Sequence, residues 1–225
     1  MTRLGALTTA EVGDDRVLLL PLGSTEQHGP HLPLDTDTVI AVAVAAGAAE
    51  RDPAAVVAPP LAIGAAGEHA GFAGTLSIGT DVLAAVLVEI VRTAGREFAG
   101  VLVVNAHGGN ADAVARAVAT CRREGRRLEA WHARLPDADA DAHAGATETS
   151  VMLAIDPAGV RMDLAEPGDP RPLVEIVDDL RRVGVAGVSV NGVLGDPTGA
   201  SAEEGAIVLA RWVDEVATRS ENMVR

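Results

Sequence analysis

The chain has 225 residues, 48% of them hydrophobic, and 32 acids against 18 bases give a formal net charge of −14. That apolar content is ample for one large core and long for two, so a single domain over residues 1–225 is expected. The acidic balance argues against nucleic acid and anionic membrane as partners, and with no tyrosine and 2% aromatic residues the platforms for base stacking are missing too.

In chain order, Val17 to Leu22 is an unbroken apolar run, which predicts a buried strand. Thr38 to Ala49 reads as a buried helix and is too short to span a bilayer, which needs ~20 residues. The N-terminus lacks the apolar segment of a secretion signal. Ala54 to Ala58 predicts a second strand, stopped by Pro59 and Pro60. Gly64 to Gly79 reads as a glycine-rich loop with room for a short hairpin. Thr80 predicts the cap of a helix to about Phe98, with Val82, Val86, Leu87 and Ile90 on its apolar face. Val101 to Val104 predicts a buried strand in the middle of a sheet. Asn110 is placed to cap a helix through Arg123. Within that helix Cys121, the one cysteine, is expected in a surface or packing role, with a catalytic thiol as the alternative, and without a second thiol no intrachain disulfide forms, which fits a reducing cytoplasm.

Leu128 to His132 reads as a strand, Asp137 to Ala142 as an exposed acidic loop, and Gly145 to Ile155 and Leu173 to Arg182 as helices. Val188 to Asn191 reads as a last strand, Gly192 to Gly199 as a loop, and Ser201 to Ser220 as the closing helix. Strands alternating with helices, without repeat or linker, predict an α/β fold with a mainly parallel sheet covered on both faces.

Three polar clusters interrupt this frame. The first, Glu26 to Asp37, follows the first strand and holds Glu26, His28, His31, Asp35 and Asp37 on a loop stiffened by Pro30 and Pro33. Polar groups at the carboxyl end of a parallel strand stand where open α/β sheets place their sites. Glu26 and His28 are two residues apart and point to one side of an extended backbone. With Asp37 at the mouth of the next helix, they make a carboxylate–imidazole–carboxylate set suited to a divalent metal. Asp37 as a plain helix cap is the competing reading.

The second cluster, Asn105-Ala106-His107-Gly108-Gly109-Asn110, repeats this placement after the middle strand. Its glycines suit either a close backbone approach to a ligand or an ordinary turn. The third, His143-Ala144-Gly145-Ala146-Thr147-Glu148, puts a histidine just before a helix and an acid in its first turn. There His143 is a candidate proton shuttle, and the plain reading of Glu148 is a capping-box or helix-dipole role.

Taken together, the Glu-x-His-Gly-Pro-His-Leu-Pro-(x)3-Asp, Asn-x-His-Gly-Gly-Asn and His-Ala-Gly-(x)2-Glu-Thr-Ser patterns resemble the creatininase family of metal-dependent amidohydrolases. Gly195-Asp196-Pro197 and Ser201-Ala202-Glu203-Glu204-Gly205 are similar to its C-terminal signature. The resemblance spans about residues 15 to 212. It implies a three-layer α/β/α sandwich and a homo-oligomer, hexameric or larger.

It also implies Glu26, His28, Asp37 and His107 as metal ligands, with Asp37 bridging where two ions are bound, and His143 as the catalytic histidine. A family glutamate two residues beyond the histidine matching His107 is here Gly109, which leaves Glu148 to complete a second site and turns attention away from creatinine. Within the family the chain looks most like the branch that processes the mycofactocin precursor peptide. There the amide before a radical-modified C-terminal Val-Tyr is hydrolysed.

The chemistry so implied is amide hydrolysis in the cytoplasm with one or two divalent ions, Zn or Fe(II) foremost and Mn also suited. His143 protonates the leaving nitrogen, and Glu148 serves as ligand or as the base that activates water. Two alternatives stay open: a creatininase-type hydrolase of a cyclic amide or formamide, and a non-catalytic metal-binding scaffold that docks a peptide. His31, Asp35, Glu68 and His69 stand open between site contacts and loop polarity, and Trp131 and Trp212 are expected to pack.

Overall fold

The computed structural model describes residues 1–134 and 141–224. Five strands, β1 (Thr2–Arg3), β2 (Val17–Leu22), β3 (Ala55–Val57), β4 (Gly100–Asn105) and β5 (Leu128–His132), form one sheet in the order β1-β3-β2-β4-β5. Every pairing in it is parallel. All six residues of β2 and of β4 are buried, as an apolar run without polar alternation requires of a strand covered on both faces. Successive side chains serve opposite layers. Val17 and Leu19 of β2, with Leu102 and Val104 of β4, join one core, and Leu18, Leu20, Leu22, Val101 and Val103 join the other.

Helices α1 (Thr36–Arg51), α4 (Ala146–Ile155) and α6 (Ala202–Val224) cover the first face, and α2 (Thr80–Ala94) and α3 (Ala111–Arg123) the second. This is the expected three-layer α/β/α sandwich. Helix α6 crosses α4 at Gly205, where a Cβ would fall 1.8 Å from the Ser150 carbonyl, so the crossing needs a residue without a side chain. Trp131 and Trp212 meet edge to face in the first core, their rings 5.8 Å apart, and therefore pack as expected. Cys121 is buried in the second core, and burial pushes its thiol up, away from reactivity.

Some local readings need correction. The buried face of α2 is Leu83, Leu87, Val88 and Val91, and Val82 is exposed. Its cap position falls to Gly79, at φ 77°, instead of Thr80. Val188 to Asn191 forms no strand. It follows a short 3-10 turn at Val185–Gly187, and Val190 is 96% exposed, which a buried strand excludes. The glycine-rich stretch holds a 3-10 turn, Gly67–His69, in place of a hairpin. Within the expected acidic loop, residues 137–140 lie outside the described residues. Its last acid, Asp141, turns inward and accepts the Thr147 N–H at 2.7 Å at the head of α4. Helix α5 (Leu173–Val183) stands beside the sheet's carboxyl edge, with Leu173, Val177 and Leu180 on one face at i, i+4 and i+7. Among the described residues no helix is long and apolar enough to cross a membrane.

Candidate metal centre

Strands β2 and β4 are neighbours in register, Leu22 opposite Asn105, so both end at the same height and release their loops side by side. Two asparagines lock this junction. Asn105 donates to the His107 carbonyl at 2.7 Å, while Asn110 donates to Gly23 O and to Asn105 Oδ1 and accepts from Ala65 N. The backbone of Glu26 closes its own loop on Leu34 O at 2.9 Å. Asp37 lies one residue inside α1. Asp35, at the helix cap, is exposed and makes no capping bond, so it stands outside the centre and the capping reading of Asp37 falls.

The structure brings Glu26, His28, Asp37, His107, His143 and Glu148 into one buried cluster. His28 Nε2 is 3.2 Å from Asp37 Oδ1, and its Nδ1 faces the Glu26 carbonyl at 3.2 Å. That backbone bond is the usual way an imidazole is oriented to offer its other nitrogen to a metal. His107 Nδ1 is 3.3 Å from Asp37 Oδ2 and its Nε2 is 3.1 Å from Glu26 Oε2. Three overlapping triads put ligand atoms within 4.8 Å of one another: Glu26–Asp37–His107, His28–Asp37–Glu148 and Glu26–His28–His143. The first two share Asp37, as a bridging carboxylate would. The third also draws in His143, expected from its motif to be catalytic.

Both Glu26 oxygens and Asp37 Oδ2 are buried without a hydrogen bond, although ring nitrogens stand 3.1–3.3 Å away. The nitrogens lie beside these oxygens without aiming an N–H at them, so lone pairs converge on a common space. An unpaired buried carboxylate costs several kcal/mol, and a divalent cation is the group that such a set of oxygen and imidazole donors, free of thiolate, fits.

The fields inside the cluster are steep. Burial opposes charge on His28, but Asp37 beside it, with Glu148 and Glu26, outweighs that and lifts the imidazole to about 9. Burial also works against the Asp37 carboxylate, and the imidazoles of His28 and His107 overcome it and hold Asp37 well below the usual range. Burial pushes Glu148 up to about 7, with His28 only partly offsetting it. Its Oε2 accepts the Ala144 N–H at 2.6 Å, which Ala144 presents from a left-handed conformation at φ 52°. Glu148 therefore does the capping job and faces the cluster at once. Burial, then His28 and His69, hold His143 well below the ordinary histidine range.

The four open residues resolve differently. His69 is buried with Nε2 3.1 Å from Glu26 Oε1. Glu68 is half-buried at the rim, 3.5 Å from His107 Nε2. A Cβ on Gly109 would fall 2.0 Å from Glu68 Oε1, so a carboxylate from another loop fills the space a side chain at 109 would take. His31 anchors the first loop to α4 through Thr149 Oγ1 at 2.9 Å, and its buried Nδ1 has no partner. Asp35 is loop polarity. Gln27, flanked by two cluster residues, is buried as well, and nothing in its residue type signals chemistry in the sequence.

His31 carries a pH prediction. Burial, then the charge on His28, lowers its pKa to about 4. The unfolded chain, with histidine near ~6.5, thus binds this proton more readily than the folded one. The stability His31 contributes is complete above that value and is lost as pH falls towards the folded pKa. Between pH 7 and pH 5 the loss is about 2 kcal/mol. Urea melts of His31→Gln should lack this part of the slope, and a slope equal to wild type would remove the assignment.

Above the cluster opens a cavity of about 610 Å³, walled on one side by His107, His143 and Glu148 and on the other by Leu173, Val177 and Leu180 of α5. Residues 6–219 match the model of the creatininase family, described as creatinine amidohydrolase. The chain belongs to the creatininase family. It is 52% identical over 208 residues to the mycofactocin precursor peptide peptidase of Mycolicibacterium smegmatis, covering 90% of this chain and 83% of that one. To the protein of the same name from Mycobacterium tuberculosis it is 47% identical over 226 residues, covering 96% and 89%. A mutant creatininase solved with creatine superposes with a TM-score of 0.81 at 26% identity, over 99% of this chain and 98% of that one. A mutant creatininase of the Zn-Zn type does so with a TM-score of 0.76 at 25% identity, over 96% of each. The family membership expected from the three motifs is therefore shown, and with it the fold.

Proposed function

We propose that this chain is a metal-dependent peptidase that hydrolyses the amide preceding the modified C-terminal Val-Tyr of the mycofactocin precursor peptide. The observation that carries this is the 47–52% identity, across nine-tenths of the chain or more, to relatives bearing that name. A buried carboxylate–imidazole cluster at the foot of a partly apolar cavity supports it.

Glu26, Asp37 and His107 would hold one divalent ion, and His28 and Glu148, sharing Asp37, a second. Zinc or Fe(II) suits these donors, and Mn would also be accepted. An ion held there supplies Lewis acidity, which makes water a competent nucleophile near neutral pH and polarises the amide carbonyl. His143, kept neutral by its surroundings, can take a proton in this cleft and deliver it to the leaving nitrogen. Glu148, raised to about 7, is a second group in the cleft able to exchange a proton near neutral pH. Gly108 and Gly109 line the cavity beside His107, and their N–H groups would serve as donors to the negative charge that develops on the carbonyl oxygen.

The wall of α5 receives the apolar dipeptide. Val177→Asp, which puts a charge into that wall, is expected to raise KM about tenfold, or ~1.4 kcal/mol, with kcat less affected. Steady-state kinetics check this, and an unchanged KM would move the dipeptide elsewhere. A homo-oligomer, hexameric or larger, belongs to the same reading, supported by the exposed apolar Val174 and Val190, and sedimentation tests it.

The deciding experiment incubates the zinc- or iron-loaded protein with the radical-modified precursor peptide and follows products by mass spectrometry. A dipeptide-sized fragment, lost on chelation, is expected. No fragment from fully loaded protein, with turnover of creatinine or a formamide instead, would overturn the reading.

A further inference from the structure

Gln27 lies between two cluster residues, is buried, and reaches four partners. Its Oε1 accepts the Gly29 N–H at 2.9 Å, and its Nε2 donates to the Gly192 carbonyl at 3.0 Å. Each backbone partner can play one part only, so they fix which end of the amide is oxygen and which is nitrogen. The seat is tailored to this amide. At Gly192, φ 81°, a Cβ would fall 1.9 Å from Gln27 Oε1, and Gly29 turns its N–H inward from φ 65°.

The amide nitrogen has one hydrogen left and two ring nitrogens within reach, His69 Nδ1 at 2.9 Å and His143 Nε2 at 3.0 Å. His143 Nε2 is also 2.9 Å from the backbone carbonyl of Gln27, which only accepts. A hydrogen on His143 Nε2 satisfies that carbonyl, and the remaining amide hydrogen then goes to His69 Nδ1. Any other distribution leaves a buried acceptor empty or sets two hydrogens against each other. The proton on His69 is thereby placed on Nε2, 3.1 Å from Glu26 Oε1. His143 is left with a bare Nδ1, 3.9 Å from that same oxygen.

We propose that Gln27 is a positioning residue of this centre. Its side-chain amide and backbone carbonyl set the protons on His69 and His143, so that of the two ring nitrogens nearest Glu26 Oε1 the one on His69 carries a hydrogen and the one on His143 a lone pair. The hydrogen on His69 then sets a positive edge beside the Glu26 carboxylate without bonding it, and the bare nitrogen of His143 stays free to accept. The consequence for turnover rests on amide hydrolysis at this centre; the proton positions do not.

Long-range ¹H–¹⁵N correlation spectra of the zinc-loaded protein read both rings directly. In wild type both histidines should be protonated at Nε2. In Gln27→Glu a carboxylate replaces the donor, so His69 should move its proton to Nδ1, while His143, bonded to an unchanged backbone carbonyl, should stay as it was. Metal affinity or kcat should fall 10–100-fold, the range for an outer partner that orients a ligand. Gln27→Met, which neither donates nor accepts, should leave His69 distributed over both forms. A wild-type His69 protonated at Nδ1 would overturn the proposal even if no variant folds, as would a Gln27→Glu spectrum identical to wild type. Loss of turnover with both proton positions unchanged would also count against Gln27 in this role.

Discussion

Asp37→Asn should abolish metal binding altogether. The substitution keeps the volume and removes the charge shared by the Glu26–Asp37–His107 and His28–Asp37–Glu148 triads. Neither triad then retains its shared carboxylate, and turnover in the presence of added metal should fall at least 10³-fold, about 4 kcal/mol of transition-state stabilisation. The chain should still fold, because His28 loses its charge along with the carboxylate that chiefly sustains it, and His107 keeps Glu26 beside it. Glu148→Gln is the informative partner. It touches one triad only, so metal per chain should drop by one equivalent and leave the other in place. Elemental analysis of the dialysed proteins decides. Metal retained in full by Asp37→Asn would show that the two sites do not share this residue, and an equal loss in both variants would show a single site.

Much of this arrangement is legible in the sequence, for physical reasons. Buried parallel strands must be apolar throughout, so Val17–Leu22 declares itself to the residue. The two histidine loops lie at the carboxyl ends of such strands, which is why Glu26, His28 and His107 can be assigned together before any contact is known. What stays hidden depends on distance along the chain. His69 lies 43 residues from Glu26, and the loop between Gly64 and Gly79 has no periodicity to say which way it folds. Gln27 is invisible because glutamine is ordinarily an exposed residue, and its value comes from Gly29 and Gly192, which admit its amide. Val188–Asn191 misleads in the opposite sense. Short β-branched runs look like strands, but with Gly187 and Gly192 at its borders and Val190 in solvent nothing is left to pair with it.

His143→Ala separates the two roles the structure leaves to this histidine. If it moves a proton, the variant should keep its full metal complement, because Glu26 and His28 each retain Asp37 and a further partner in the other triads. The rate kcat should then fall by about 10²–10⁴-fold, the usual contribution of a positioned acid or base, with KM little changed. If it is a ligand of the Glu26–His28–His143 triad, metal and activity should go together, and added zinc should restore part of the rate. The environment favours proton transfer. The ring is buried, flanked by His28 and His69 at centroid distances of 4.4 and 4.5 Å, and held far below its ordinary pKa. An imidazolium formed there is strained and returns its proton readily, which is what a leaving amide nitrogen requires of its acid. Near-normal kcat in the fully loaded His143→Ala protein would pass the task to Glu148, whose carboxyl, at about 7, is the remaining buried group poised to carry a proton.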